Sequence, residues 1–141
     1  MAPGAAVSGA EAALEGAIIE ALEADAGVTA LLGDPLRLMG RSDPYPAFPY
    51  IEIARHVSEP AGASGVEASE HRVDLVVASR DDRGEAGKAA VAAMRAALNA
   101  ASFPMEGWRC VLLLPVFSDV LNQGRGRWRA VLRVKAVVEE A

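Results

Sequence analysis

At 141 residues the chain has the length of one ordinary domain, able to bury roughly 68–70% of its unfolded surface. A hydrophobic fraction of 52% excludes a disordered chain. The 14 Lys and Arg against 19 Asp and Glu leave a net charge of −5, which excludes DNA binding through a global positive field and leaves only a local patch for phosphate contact.

The opening residues, "MAPGAAVSGAEAALEG", lack a basic n-region and do not read as a signal peptide; residues 1–7 are expected to be a flexible N-terminus. Ser8 and Glu11 have the spacing of a capping box. Leu14, Ile18 and Leu22, with Ile19 beside them, form an apolar stripe that predicts a helix to about Ala24. A short second helical turn, Val28 to Leu32, stops at Gly33. Pro44, Pro46 and Pro49 then force an extended entry into a strand at about Tyr50–His56. Residues 57–69, "VSEPAGASGVEAS", are small and turn-forming and read as a mobile loop. A second strand, "EHRVDLVVAS", alternates Val73, Leu75 and Val77 with Arg72 and Asp74.

Asp81, Asp82 and Glu85 place acids at the positive end of a helix running from about Glu85 to Ala101. Its slim stripe of Ala90, Val91, Met94, Ala97 and Leu98 lets it lie close to a sheet. Two strands follow, about 108–120 and 127–138, joined by "NQGRG", a hairpin signal. The expected fold is α+β, in the order α-β-β-α-β-β. A four-stranded, largely antiparallel sheet carries both main helices on one face, in a single domain spanning 1–141.

The last hairpin is the least ordinary stretch. Pairing Ser118 with Trp128 would put Leu112, Leu114 and Val116 opposite Val134, Leu132 and Ala130 as a core face. The other face then carries Leu113, Pro115 and Phe117 among Arg127, Arg129, Val131, Arg133 and Lys135. Three readings stand, ranked in this order. The face is solvated, with its cations paired across strands to Asp119, Asp74 or Glu52; or it is a subunit interface formed by Leu113, Phe117, Arg127, Arg129, Arg133 and Lys135; or it binds phosphate directly. Strands of about twelve residues exceed the usual five or six, so the arm is expected to project.

Catalytic parts are missing, so no enzyme, cofactor or metal is expected. His56 and His71 flank the loop with no second ligand cluster. Cys110 has no partner cysteine or neighbouring base and reads as a packed thiol; with one cysteine there is no internal disulfide, which fits a reducing compartment. "GEAGKA", 84–89, fails as a phosphate loop because Asp82 stands where glycine is needed and Ala89 replaces the Ser/Thr. Trp108 and Trp128 are expected to pack at the ends of the hairpin. The longest apolar run, "CVLLLPVF", is under half a bilayer span, so a soluble chain without membrane contact is expected.

Taken in order, "ADAGVTALLGD", "AFPYIEI", "EHRVDLVVASRD", "AGKAAVAAMRAALN" and "GRGRWRAVLRVKAVVEE" resemble the small tail completion, or tail terminator, proteins of long-tailed bacteriophages and gene transfer agents. The likeness runs from about Glu11 to Val138. It implies a subunit without catalytic residues that forms a ring, usually of six, on the end of the tail tube. Such a ring stops polymerisation and offers a surface to the neck. The implied partners are further copies of the chain, the major tail tube protein, and a neck, stopper or adaptor protein. DNA passes through the channel without sequence-specific binding, which suits the acidic balance. The implied location is the bacterial cytoplasm during assembly, then the tail–neck junction of the particle. A neighbouring connector ring protein and a small nucleic-acid-binding domain are the alternatives. Within the loop, Glu59, Ser64, Val66 and Glu67 are the candidate tube or neck contacts.

Overall fold

The computed structural model describes residues 9–61 and 67–141. The elements are α1 (Ala10–Glu23), α2 (Ala26–Leu32), β1 (Tyr50–Pro60), β2 (Ala68–Arg80), α3 (Glu85–Ala100), β3 (Trp108–Gly124) and β4 (Arg127–Glu140). The strands form one antiparallel sheet in the order β1-β2-β4-β3. The α+β class and the element order are as expected, with α2 as a third, short helix.

The apolar stripe of α1 is buried at Leu14, Ile18, Ile19 and Leu22. Its N-cap is Gly9, which makes no side-chain cap bond; Ser8 lies outside the described residues. Glu11 therefore stands at the second helical position, one short of what a capping box needs, and accepts a hydrogen bond from Ser58 Oγ at 2.7 Å instead. Asp25 caps α2 by accepting from the Val28 amide at 3.0 Å. After α2 the chain runs along the free edge of β1: the Ile51 amide donates to Arg37 O and the Met39 amide to Ile51 O, each at 2.9 Å.

The small residues of α3 do what their spacing promised. Gly87, Ala90, Val91, Met94, Ala97 and Leu98 are buried. A Cβ at Gly87 would lie 3.1 Å from Ala130 Cβ, so helix and sheet meet almost backbone to backbone. Val73, Leu75 and Val77 of β2 and Ala130, Leu132, Val134, Ala136 and Val138 of β4 complete the core with α1 and α3.

Two expectations about the strands are corrected. Residues 57–60 and 68–69, read as loop, extend β1 and β2, because cross-strand pairing such as Val57 with Arg72 and Glu59 with Glu70 outweighs their loop-like composition. The final hairpin pairs Asn122, not Ser118, with Trp128, and Ser118 with Leu132. The tight turn is at Arg125 and Gly126, with φ of 58° and 75°, the pair of positive values a two-residue hairpin turn demands. The register of β3 against β4 also shifts between Cys110 and Leu112, between Pro115 and Phe117, and between Asn122 and Gly124. Each shift adds a residue to β3 and inverts the side-chain alternation.

Candidate assembly surface

The face of the sheet away from the helices is a grid set by these registers. Reading from β1 through β2 and β4 to β3, one row is Glu52, Val76, Val131 and Asp119; the next is Arg55, Asp74, Arg133 and Phe117; a third is Val57, Arg72, Lys135 and Leu114. Three of the alternating cations of β4, Arg129, Arg133 and Lys135, reach acids on the neighbouring strands. Arg133 Nε donates to Asp74 Oδ1 at 2.8 Å and Nη2 to Oδ2 at 3.2 Å. That two-pronged bond to Asp74 raises the Arg133 pKa above the ordinary arginine value. The same guanidinium lies 5.2 Å from the centre of the Phe117 ring. Arg129 stands 3.7 Å from Glu52 and Lys135 3.6 Å from Glu70.

Pairing to Asp74 and Glu52 is therefore found, whereas Asp119 makes no ion pair among the described residues. A strand whose cations are neutralised within the chain is a poor grip for phosphate. Arg127 is exposed at the hairpin tip, opposite Arg80 and Gly124, with no ion pair among the described residues.

The apolar part of this surface lies elsewhere than expected. Leu113 points into the core opposite Ala136 and is 9% exposed, while Leu112 and Leu114, expected inside, are outward. The cause is the pair of extra residues at Val116 and Val111, which bracket Leu112–Pro115 and invert the faces of that stretch. Leu112, Leu114, Phe117 and Leu121 form an outward strip along β3, with Val111 and Val116 exposed beside them. β3 is an edge strand. Its bulges and Pro115, which lacks an N–H, blunt it against extension by another strand, so a partner here meets side chains.

At the opposite end of the sheet, Glu59 is a strand residue 3.4 Å from Arg72, and Glu67 is exposed, its carbonyl accepting from the Glu140 amide at 2.9 Å. Ser64 and Val66 lie outside the described residues. Beneath this end His56 and His71, which the sequence placed on two separate strand ends, meet. His56 Nδ1 is 2.7 Å from Glu15 Oε2, His56 Nε2 is 2.7 Å from His71 Nδ1, and His71 Nε2 is 2.7 Å from Ser69 Oγ. His71 is fully buried; burial, then the neighbouring His56, lowers its pKa. Sequence reasoning missed this chain, although two histidines almost equidistant from a hairpin loop, on one face of their strands, were the available signal. It ties α1 to β1 and β2. No group of three or more metal-binding side chains exists among the described residues.

The remaining motif residues have structural duties. Asp81 accepts from the amides of Arg83, Gly84 and Ala86, at 3.2 Å to Arg83 and 3.0 Å to Ala86. Its carboxylate takes up the free amides at the N-terminus of α3; these bonds, that from Ala86 foremost, lower its pKa. Trp128 Nε1 donates to Asp81 O at 2.9 Å near the hairpin tip, and Trp108 opens β3 at the other end. Cys110 is half-buried against the core, and burial raises its pKa.

The comparisons agree with this architecture. Among curated proteins none matches the chain. Among solved structures, a chain of the "Virion of native gene transfer agent (GTA) particle" is 26% identical. That match covers 94% of this chain and 99% of the other, at a TM-score of 0.81. The tail completion protein gp17 family matches residues 16–139, nearly the whole chain. The chain belongs to the tail completion protein gp17 family.

Proposed function

We propose that the chain is a tail terminator: a structural subunit that forms a ring on the finished tail tube, stops its polymerisation and joins it to the neck. The observation that carries this reading is the near full-length likeness to a chain of a gene transfer agent virion. The outward strip of β3 supports it, because exposed aliphatic and aromatic side chains beside a neutralised charge ladder suit contact with protein. Phe117 and Arg127 are the foremost contacts in that interface. Arg129, Arg133 and Lys135 contribute through a flat ladder held by their own acids. The partners are further copies of the chain, the tail tube protein, and a neck, stopper or adaptor protein, with DNA passing through the channel. Assembly takes place in the bacterial cytoplasm and ends at the tail–neck junction. Glu59 and Glu67 stand at the end of the sheet that contacts tube or neck.

The test is deletion of the gene in its host, with tail length read by negative-stain electron microscopy. Overlong tubes and unattached heads are expected. Headless tails of normal length would make the chain a connector, and complete particles would refute the assembly role.

A further inference from the structure

In a four-stranded sheet ordered β1-β2-β4-β3 the two edges lie on opposite sides of the molecule, and here they carry different, matching chemistry. On the β3 side is the apolar strip, with Leu114, Val116, Phe117 and Leu121 each about half exposed. Asp119 sits within it, exposed and without an ion pair or hydrogen-bonded side chain among the described residues. On the β1 side the loop of residues 40–49 presents Tyr45, 86% exposed, and Phe48, 42% exposed. Two rows further along β1 Arg55 is exposed, and it too has no ion pair among the described residues, because Arg133 takes Asp74, the residue opposite it.

Resting on the ring reading above, we infer that neighbouring subunits join head to tail, the Tyr45 loop and Arg55 of one copy seating on the β3 strip and Asp119 of the next. Heights along the sheet agree. Tyr50, next to the loop, shares a row with Leu121, and Arg55 shares a row with Phe117, one row from Asp119. One row is two residues, about 7 Å along a strand, within the reach of an arginine side chain. Two different patches that complement each other on opposite edges give a heterologous contact, the kind that closes rings, whereas a β3-to-β3 contact would set Asp119 against its own copy. The bulges and Pro115 keep the contact from becoming an endless shared sheet.

The experiment uses Arg55→Asp and Asp119→Arg, followed by sedimentation velocity and native mass spectrometry at low salt, with circular dichroism to check folding. Both side chains are exposed and without an ion pair among the described residues, so both variants should fold. The wild-type chain should form closed rings. Each variant alone should weaken assembly roughly tenfold or more, since like charges then meet at every contact. An equimolar mixture should restore rings, because each altered edge finds its opposite charge. Tyr45→Ala should weaken assembly by roughly tenfold as the loss of an aromatic anchor. Rings from either single charge variant, or a mixture that fails to recover, would overturn the head-to-tail assignment while leaving the ring intact. A mixture that stops at dimers would show a two-fold contact and overturn it too. A wild-type chain that stays monomeric at every concentration would refute the self-assembling ring along with the inference.

Discussion

Replacing His71 with alanine removes the middle of a buried polar chain. His56 Nδ1 faces the Glu15 carboxylate and its Nε2 faces His71 Nδ1, a gap with room for one proton. A second proton would set two N–H groups against each other across the 2.7 Å between the rings. Burial and the neighbouring His56 lower the His71 pKa from its ordinary 6.5, against a smaller opposing pull from Glu11. On acidification the unfolded chain therefore takes up the proton first. The contribution of His71 is whole above about pH 6.5 and is lost as pH falls from there, until native His71 titrates as well. While only the unfolded form is protonated, the loss is up to about 1.4 kcal/mol per pH unit. Glu11 and Glu23, held by Ser58 and Arg41 below the ordinary 4.5, lose their contributions only at lower pH. The range from 6.5 to 4.5 thus reports on His71.

At pH 8, His71→Ala strands a nitrogen of the largely buried His56 and opens a cavity, at a cost of about 2–4 kcal/mol. Urea unfolding at intervals from pH 8 to pH 4.5 should show this deficit shrinking with acid, since the variant has lost the group that penalises low pH. His71→Gln, which keeps hydrogen-bonding capacity without titrating, should cost less and flatten the profile equally. Identical pH slopes in wild type and both variants would refute the argument.

Two further outcomes follow from single atoms. The Ser79 hydroxyl is buried with no hydrogen-bond partner among the described residues, so Ser79→Ala should gain about 1 kcal/mol in chemical denaturation; a clear loss would reveal a partner for that oxygen. Gly84 has φ +72°, and a Cβ there would come within 2.6 Å of Trp128 Cε3. Gly84→Ala should cost about 2–4 kcal/mol and shift tryptophan fluorescence, and unchanged spectra and stability would contradict the packing described.

Much of this was legible in the chain. The stripes of α1 and α3 are local: Leu14, Ile18 and Leu22 recur at helical spacing, and whatever they pack against, that side must be buried. The slimness of α3 and the acidic start that became its cap were readable for the same reason. The alternation of β2 predicted its buried face, with Val73, Leu75 and Val77 inside, and the order of several moderate motifs led to the right family.

What tertiary structure decided was everything that depends on register. Leu113 and Leu114 exchanged faces because the bulges insert residues into β3, and in a run where nearly every residue is apolar the pattern cannot reveal an insertion. Arg129 and Arg133 were recognisable as alternating cations, but their acids come from β1 and β2, more than fifty residues away in sequence. The meeting of His56 and His71 likewise waited on the pairing of β1 with β2. Periodicity is a property of one segment and survives in a bare sequence; adjacency belongs to two segments at once, and only the folded sheet supplies it.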